Sequence, residues 1–183
     1  VIEHLVIDSR KPLPEEGALF IALRGERHDG HRYLPALVER GLQYALVSAP
    51  DAEVPLTVQV HDTLDALQRL AGWHRAHFDL PVVGITGSNG KTVVKEWLFQ
   101  LLRGEEHIVR SPGSWNSQVG VPLSVWELRA EHTLALFEAG ISLPGEMERL
   151  RSVIRPTIGV FTNIGPAHGE NFPSDVAKAL EKA

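Results

Sequence analysis

Cysteine is absent from this 183-residue chain, and no apolar run approaches the roughly 18 residues of a membrane-spanning helix. The lack of cysteine excludes a disulfide framework and a thiolate metal site, and it suits a reducing cytosol. No charged and then apolar signal segment is present. The formal net charge of −5 argues against a broad nucleic-acid surface, although local basic pockets for phosphates remain compatible with it. We therefore predict a cytoplasmic, monomeric protein without nucleic-acid or membrane partners.

The first part of the chain alternates short β-branched runs with helical patterns. Its 43% hydrophobic content suffices for a packed core, but the length alone fits either one large domain or two small ones. Thr63 is the predicted cap of a helix, and His77–Pro81 is a predicted linker. The predicted strands are Leu19–Leu23, Tyr44–Ala49 and Leu56–His61, and Tyr33–Gly41 is a short predicted helix.

The second part repeats the alternation of strands and helices. Its predicted strands are Pro81–Thr86, His107–Ser111, His132–Gly140 and Thr157–Gly165, and its predicted helices are Lys91–Leu102, Leu143–Val153 and Ser174–Ala183. The last two strands are apolar throughout, which predicts parallel strands buried on both faces. The predicted fold class is therefore α/β, with a small α/β domain over residues 1–79 and a mostly parallel-sheet, P-loop ATPase-type domain over residues 80–183. Because the chain begins at Val1 and stops inside a helical pattern, we expect it to be a piece of a longer protein.

Unusual polar residues and glycines follow each strand of the second part. Ligands of open parallel sheets bind beyond the carboxyl ends of the strands. That rule selects Thr86–Thr92, Ser111–Ser117, Glu138–Ser142 and Asn163–Asn171. We predict one site built from these four segments.

The sequence "GITGSNGKT" runs from Gly84 to Thr92 between a predicted strand and a predicted helix. Backbone N–H groups of a tight glycine turn, together with the positive end of the helix, attract phosphate oxygens. The predicted ATP-binding residues are Gly87, Ser88, Asn89, Gly90, Lys91 and Thr92. Lys91 would neutralise the β- and γ-phosphates, and Thr92 would offer its hydroxyl to Mg²⁺. The alternative is an ordinary glycine turn with a solvated lysine, but the strand, the Gly-Lys-Thr order and the helix all favour a nucleotide site.

This loop is two residues shorter than the regular phosphate loop, and it strongly resembles the signature of the Mur ligase superfamily. "IDSR" (Ile7–Arg10), "GALFIALRGERHDGHRYL" (Gly17–Leu34), "WNSQVGVPLSV" (Trp115–Val125), "FEAGIS" and "TNIGPAHGENF" are similar to further motifs of this superfamily, in the same order. They are most similar to the branch that adds D-alanyl-D-alanine to UDP-N-acetylmuramoyl-tripeptide. Ser117 departs from this pattern, which has a second asparagine there.

The resemblance implies an ATP-dependent ligase of peptidoglycan-precursor synthesis that forms an amide through an acyl phosphate. Its partners would be UDP-N-acetylmuramoyl-peptide and D-alanyl-D-alanine. Residues 1–79 would bind the UDP substrate, and residues 80–183 would form part of the central ATP-binding domain. The superfamily's C-terminal domain is absent, so we expect the 183 residues alone to be inactive.

The resemblance also implies two Mg²⁺ ions with ligands Thr92, Glu138, His168 and Lys182, and it makes Lys91, His168 and Lys182 the catalytic residues. A solvated loop histidine and a salt-bridged strand-end glutamate are the alternatives for His168 and Glu138. Lys182 lies opposite Leu180 on its helix, so helical geometry alone predicts a solvated lysine. In the superfamily, a lysine at the 14-residue spacing from His168 to Lys182 is carbamylated and supplies an oxygen ligand; Lys178 is a nearby competitor.

The predicted substrate-binding residues are Ser9, Arg10, Asn116 and Ser117. Arginine suits a diphosphate because its planar fork binds two oxygens at once. Asn116 is either a metal or substrate contact or an ordinary turn asparagine. The loop with Arg24, His28, Asp29 and His31 either adjoins the UDP site or is a polar surface loop.

Other functions remain open at this point. The nearest is another member of the superfamily, either the ligase that adds the third peptide residue or a folylpolyglutamate synthetase. A phosphate-loop kinase is more distant, because the short loop and the His168 and Lys182 pair do not fit it. The non-enzyme alternative is a nucleotide-binding module without turnover.

Overall fold

The computed structural model describes residues 1–25, 28–49, 54–165 and 171–182. The chain divides into two compact units, Val1–Leu67 and Gln68–Ala183. Each unit contains one four-stranded sheet of described residues, and every strand pairing in both sheets is parallel. The predicted α/β class is thus confirmed, whereas the division at residues 79 and 80 stays a prediction.

The first unit is built on a sheet with the order β1-β2-β3-β4. Its elements are β1 (His4–Val6), β2 (Ala18–Ile21), a 3₁₀ turn (Gly30–Tyr33), α1 (Leu34–Glu39), β3 (Tyr44–Val47) and β4 (Leu56–Gln59). All four residues of β2 are buried, as expected for a central parallel strand. Phe20 and Val47 pack with Leu34 and Leu37 of α1 in one apolar core.

Helix α2 (Thr63–Arg75) follows, and its cap differs from the sequence prediction. The Asp62 carboxylate accepts the N–H groups of Leu64 and Asp65 at 2.7 and 3.0 Å, so Asp62 is the capping residue. The Thr63 hydroxyl instead donates to the Ala22 carbonyl at 3.1 Å. The assignment of the cap to Thr63 was therefore wrong, because a tertiary contact engages its hydroxyl.

The second unit is built on a sheet with the order β6-β7-β5-β8. Its elements are β5 (Val82–Thr86), α3 (Lys91–Leu102), β6 (Ile108–Arg110), α4 (Gly120–Trp126), β7 (Leu134–Glu138), α5 (Glu146–Ile154), β8 (Ile158–Phe161) and α6 (Asp175–Lys182). Helix α4 was not predicted, and all seven of its residues are buried. The carboxyl ends of β7, β5 and β8 lie side by side, which brings their following loops to one edge of the sheet.

The sequence predicted that β7 and β8 would both be buried on both faces, but their burial differs. Every residue of β7 is buried, as predicted. In β8, however, Ile158 and Phe161 are 50% and 43% exposed. The prediction for β8 was wrong because, within the described residues, this strand pairs only with β5 and forms a sheet edge. No helix within the described ranges is both long and apolar enough to pass through a bilayer.

Candidate functional site

The glycine loop joins the end of β5 directly to the start of α3. Gly87 has a φ of +134° and Gly90, the residue before α3, has a φ of +80°. These backbone angles disfavour residues with a Cβ atom, so the two glycines allow the sharp reversal. The first turn of α3 leaves its N–H groups without intrahelical acceptors, and its positive end faces the loop. This arrangement is suited to binding phosphate.

Residues after β8 hold the loop in shape. The Ser88 N–H donates to the Asn163 carbonyl at 2.9 Å, and the Asn89 N–H donates to the Asn163 side chain at 3.1 Å. The Thr162 hydroxyl donates to the Asn89 carbonyl at 2.6 Å. The glycine loop is therefore fixed from outside as well as by its own backbone.

Lys91 lies over the loop that precedes it. Its Nζ donates to the Gly87 carbonyl at 2.7 Å and, more weakly, to that of Ser88 at 3.4 Å. Burial lowers the pKa of Lys91, and the negative charge of Glu138 opposes that shift. The ammonium group is thus placed at the glycine loop and within electrostatic range of the β7 carboxylate.

Glu138, the last residue of β7, is fully buried. The Thr92 hydroxyl donates to Glu138 Oε2 at 3.0 Å, and the Asn116 side-chain amide reaches the same oxygen at 3.4 Å. Glu138 Oε1 lies 2.8 Å from Lys95 Nζ in an ion pair. That contact is not an aligned hydrogen bond, because Oε1 has no partner of acceptable geometry among the described atoms.

This carboxylate meets the chemical requirements of a magnesium ligand. Mg²⁺ prefers hard oxygen ligands, which Glu138 and Thr92 supply side by side. The Lys95 ammonium already offsets the charge of Oε1, so Oε2, which lies beside the Thr92 hydroxyl, is the oxygen that could face a cation. Among the described residues, no three His, Cys, Asp or Glu side chains cluster.

A cavity of about 320 Å³ opens beside the glycine loop. Lys91 and Lys182 both line it, so two lysines from different helices converge on one space. The other lining residues are Gly87, Ser88, Asn116, Ser117, Gln118, Val119, Gly140, Ile141, Ser142 and Glu146. The predicted residues Asn116 and Ser117 therefore belong to the same cavity as the predicted phosphate loop.

Lys182 is buried, which corrects the expectation from helical geometry. Its exposure is 6%, while Val176 and Leu180 of the same helix are 69% and 74% exposed. Helical periodicity gave the wrong prediction for Lys182 because the charged face of α6, rather than its apolar face, packs against the protein. Burial first, and then repulsion from Lys91 and Lys178, lowers the pKa of Lys182 to about 8.

Polar contacts of Glu181 and Lys178 hold helix α6 in this orientation. Glu181 accepts the N–H group of Gly145, which precedes α5, at 2.7 Å. Lys178 is fully buried and donates to the Gly165 carbonyl. Of the two lysines that competed in the sequence, only Lys182 lines the cavity, whereas Lys178 binds the loop after β8.

Some predicted residues lie elsewhere. His168 lies outside the described residues. Ser9 and Arg10 belong to the first unit, where the Arg10 fork binds both oxygens of Asp8 at 2.8 Å. Arg10 lowers the pKa of Asp8 through these hydrogen bonds, and the exposed pair leaves the guanidinium accessible.

Several described side chains of the polar stretch around Asp29 contact one another. Asp29 contacts His31 Nδ1 at 2.6 Å and Arg24 Nη2 at 3.1 Å. The His31 contact lowers the pKa of Asp29. His31 Nε2 in turn accepts the Ser48 N–H at 2.9 Å, so this ring links the loop to the end of β3.

No individual role was predicted from the sequence for two residues that shape the site. Lys95 lies one helical turn after Lys91 and three residues after Thr92, and this spacing on one helix face was the available signal. Gly140 lies within the predicted segment Glu138–Ser142, but nothing in the sequence indicated why a glycine is needed there. A Cβ atom there would lie 2.7 Å from Asn116 Oδ1, so its smallness leaves room for Asn116.

Two family models match successive parts of the chain. Residues 1–74 match the family described as "Mur ligase family, catalytic domain", and residues 85–182 match the Mur ligase middle domain. The chain belongs to the Mur ligase family. The predicted resemblance is thereby confirmed.

Individual relatives and solved structures are similar to this chain over nearly its whole length. The chain is 34% identical to a UDP-N-acetylmuramoyl-tripeptide–D-alanyl-D-alanine ligase from Synechocystis, over 99% of this chain and 40% of that protein. The structure of MurF from Acinetobacter baumannii superposes with a TM-score of 0.90 at 33% identity, covering 97% of this chain and 39% of that one. MurF from Thermotoga maritima in complex with ADP superposes with a TM-score of 0.89 at 29% identity, covering 98% of this chain and 42% of that one. The chain thus spans about 40% of the length of the relatives that it matches.

Proposed function

We propose that this chain forms the UDP-substrate and ATP-phosphate parts of a ligase that joins D-alanyl-D-alanine to UDP-N-acetylmuramoyl-tripeptide. The convergence of Lys91 and Lys182 on one cavity, beside the Thr92 and Glu138 pair, supports the proposal most directly. The names of the relatives indicate the substrates. Residues 1–79 and 80–183 are the proposed domains, and cytoplasmic location and a monomeric state remain predictions.

The first chemical step brings two anions together. An oxygen of the substrate carboxylate attacks the γ-phosphorus of ATP, and the bond from that phosphorus to the bridging oxygen of ADP breaks. The N–H groups at the start of α3 and the Lys91 ammonium hold the phosphates and offset their charge. A divalent cation held by Thr92 and Glu138 would withdraw further charge from the β- and γ-phosphates.

The second step forms the amide. The neutral amine of D-alanyl-D-alanine attacks the acyl carbon, phosphate leaves and the nitrogen loses a proton. Asn116 and Ser117 line the same cavity and are our candidates for positioning the acyl group. Ser9 and Arg10 are the candidates for binding UDP, with the diphosphate replacing Asp8 on the Arg10 fork.

Lys182 is the proposed source of a ligand for a second cation, together with His168. A lysine with a pKa of about 8 has a larger neutral fraction near neutral pH than an ordinary lysine. Its neutral nitrogen can bond to the carbon of CO₂ and release a proton, which converts a cation into a carboxylate-bearing side chain. Burial and the repulsion from Lys91 and Lys178 both favour the neutral amine that this reaction requires.

The test uses a protein of full family length that contains this sequence. With ATP, Mg²⁺, the UDP-tripeptide and D-alanyl-D-alanine, we expect ADP, phosphate and the UDP-pentapeptide, identified by mass spectrometry. Lys91→Met and Glu138→Gln should each reduce turnover at least about 100-fold, because each removes charge compensation at the phosphates. Glu148→Gln is the matched control, since Glu148 is exposed and contacts Arg151.

Specific outcomes would contradict the proposal. Unchanged turnover in Lys91→Met and Glu138→Gln would remove the assigned chemistry from this cavity. Failure of UDP to displace the bound substrate would favour a folylpolyglutamate synthetase. Amide formation by the isolated 183 residues would contradict the expectation that the rest of the family length is needed.

A further inference from the structure

Lys95 is a fully buried lysine in the second turn of α3. A buried ammonium group is costly unless charges or dipoles surround it. Its neighbours Val94 and Phe99 pack against the apolar sheet face, and Lys95 points instead toward the end of β7. A lysine in this environment needs a specific set of partners.

Its partners come from three segments around the candidate site. Lys95 Nζ lies 2.8 Å from Glu138 Oε1 and donates to the carbonyl oxygens of Ser111, at 2.7 Å, and Gly113. Glu96 Oε1 is a further neighbour at 3.3 Å. One ammonium group therefore connects α3, the strand end that carries Glu138 and the loop after β6.

The contacts on Glu138 divide between its two oxygens. Lys95 faces Oε1, whereas the Thr92 hydroxyl and the Asn116 amide face Oε2. An ion pair on one oxygen and hydrogen bonds on the other restrain the carboxylate from both sides. Without Lys95, only the Oε2 contacts would restrain it.

We propose that Lys95 is a positioning residue that fixes the Glu138 carboxylate for a divalent cation and links it to the loop that carries Asn116. This inference rests on the proposed function, in which Glu138 binds a cation beside the ATP phosphates. Lys95 itself does not line the cavity and has no assigned contact with a substrate.

The direction in which cation affinity changes when Lys95 is removed distinguishes a positioning role from a purely electrostatic effect. Removing a positive charge next to a cation site strengthens cation binding if Coulomb repulsion is the only effect. Loss of positioning weakens cation binding instead, because the carboxylate must be ordered when the cation binds. The two roles therefore predict opposite changes in affinity.

The experiment measures Mn²⁺ binding by electron paramagnetic resonance in the full-length protein with a non-hydrolysable ATP analogue. We expect Lys95→Met to weaken Mn²⁺ binding at least tenfold, and Lys95→Gln, which keeps one donor group, to weaken it less. Lys95→Arg should restore part of the affinity. Arg110→Met is the matched control, because it removes a nearby positive charge that pairs with Glu96 and not with Glu138; its Mn²⁺ affinity should stay within twofold of wild type.

Two reference measurements distinguish the possible failures. The near-ultraviolet circular dichroism spectrum, to which Trp97 and Trp126 of the second unit contribute, should be unchanged in the Lys95 variants, which reports an intact fold of that unit. If Glu138→Gln weakens Mn²⁺ binding while Lys95→Met and Lys95→Gln match or exceed wild type, the positioning role is refuted and the proposed function stands. If Glu138→Gln binds Mn²⁺ as wild type does, Glu138 is not a ligand, and both the cation assignment and the role of Lys95 fall.

Discussion

Gly87→Ala should damage the second unit more than any other single-methyl addition in the glycine loop. The backbone φ of +134° already disfavours a side chain at Gly87. A Cβ atom built there would lie 2.0 Å from Thr162 Oγ1 and 3.0 Å from the Asn163 nitrogen. Both contacts belong to the residues that hold the loop, so neither can yield without disturbing it.

The size of the effect follows from two separate contributions. Backbone strain at a position suited to glycine costs about 1–3 kcal/mol. Overpacking against fixed neighbours costs about another 1–3 kcal/mol. We therefore expect a loss of about 2–6 kcal/mol in the free energy of unfolding, against a typical domain stability of about 5–15 kcal/mol.

Urea unfolding followed by tryptophan fluorescence measures this loss in the correct unit, because all four tryptophans lie beyond residue 67. Gly90→Ala is the matched control. Its φ is +80° and a Cβ atom there would meet nothing within 4 Å, so only backbone strain of about 1–2 kcal/mol applies. The double variant Gly87→Ala with Thr162→Ala should recover part of the stability. Equal losses for Gly87→Ala and Gly90→Ala would refute the steric argument.

Three further predictions concern other positions. Gly140→Ala should displace the Asn116 side chain, which a Cβ atom would approach to 2.7 Å, and weaken substrate binding more than it lowers stability; an unchanged KM would contradict this. Burial lowers the pKa of His74 below 6.5, so the unfolded state takes up a proton at this residue before the folded state does. The free energy of unfolding should therefore fall as the pH drops below about 6.5. Urea titrations at pH 7.5 and pH 5.5 should show a smaller fall in His74→Leu than in wild type. ¹³C-labelled bicarbonate should give a carbamate signal in nuclear magnetic resonance that disappears in Lys182→Ala, and persistence of the signal there would exclude that lysine.

Most of the candidate site was predicted from the rule that ligands bind beyond the carboxyl ends of parallel strands. Because parallel strands present their carboxyl ends at one edge, it predicted that Thr92 and Glu138, 46 residues apart, would meet. Helix α3 begins and ends where the sequence predicted, since a glycine turn precedes it and a continuous run of helix-compatible residues forms it.

Several features depend on tertiary packing and could not be predicted from local sequence patterns. Helical periodicity predicted that Lys182 faces solvent, yet α6 packs through its charged face and exposes Leu180. Helix α4 contains Gly120 and Pro122 and three β-branched or hydroxyl residues, so its local propensity hid a helix that burial stabilises. The burial of Lys95 was not predicted because a lysine on a helix is usually solvated, and only its contacts in the structure show that it is buried.

The strand order of the second sheet has a consequence for synthesis on the ribosome. In the first sheet, each pairing joins a strand to the next one along the chain. In the second sheet, β5 pairs with β7 and β8 rather than with β6, the next strand to be made. At about 5–20 residues per second, the nascent β5 must stay unpaired for about 3–10 s before β7 has been made. The glycine loop that follows β5 is therefore among the first parts of its unit to emerge, and among the last to gain the contacts from Thr162 and Asn163 that hold its shape.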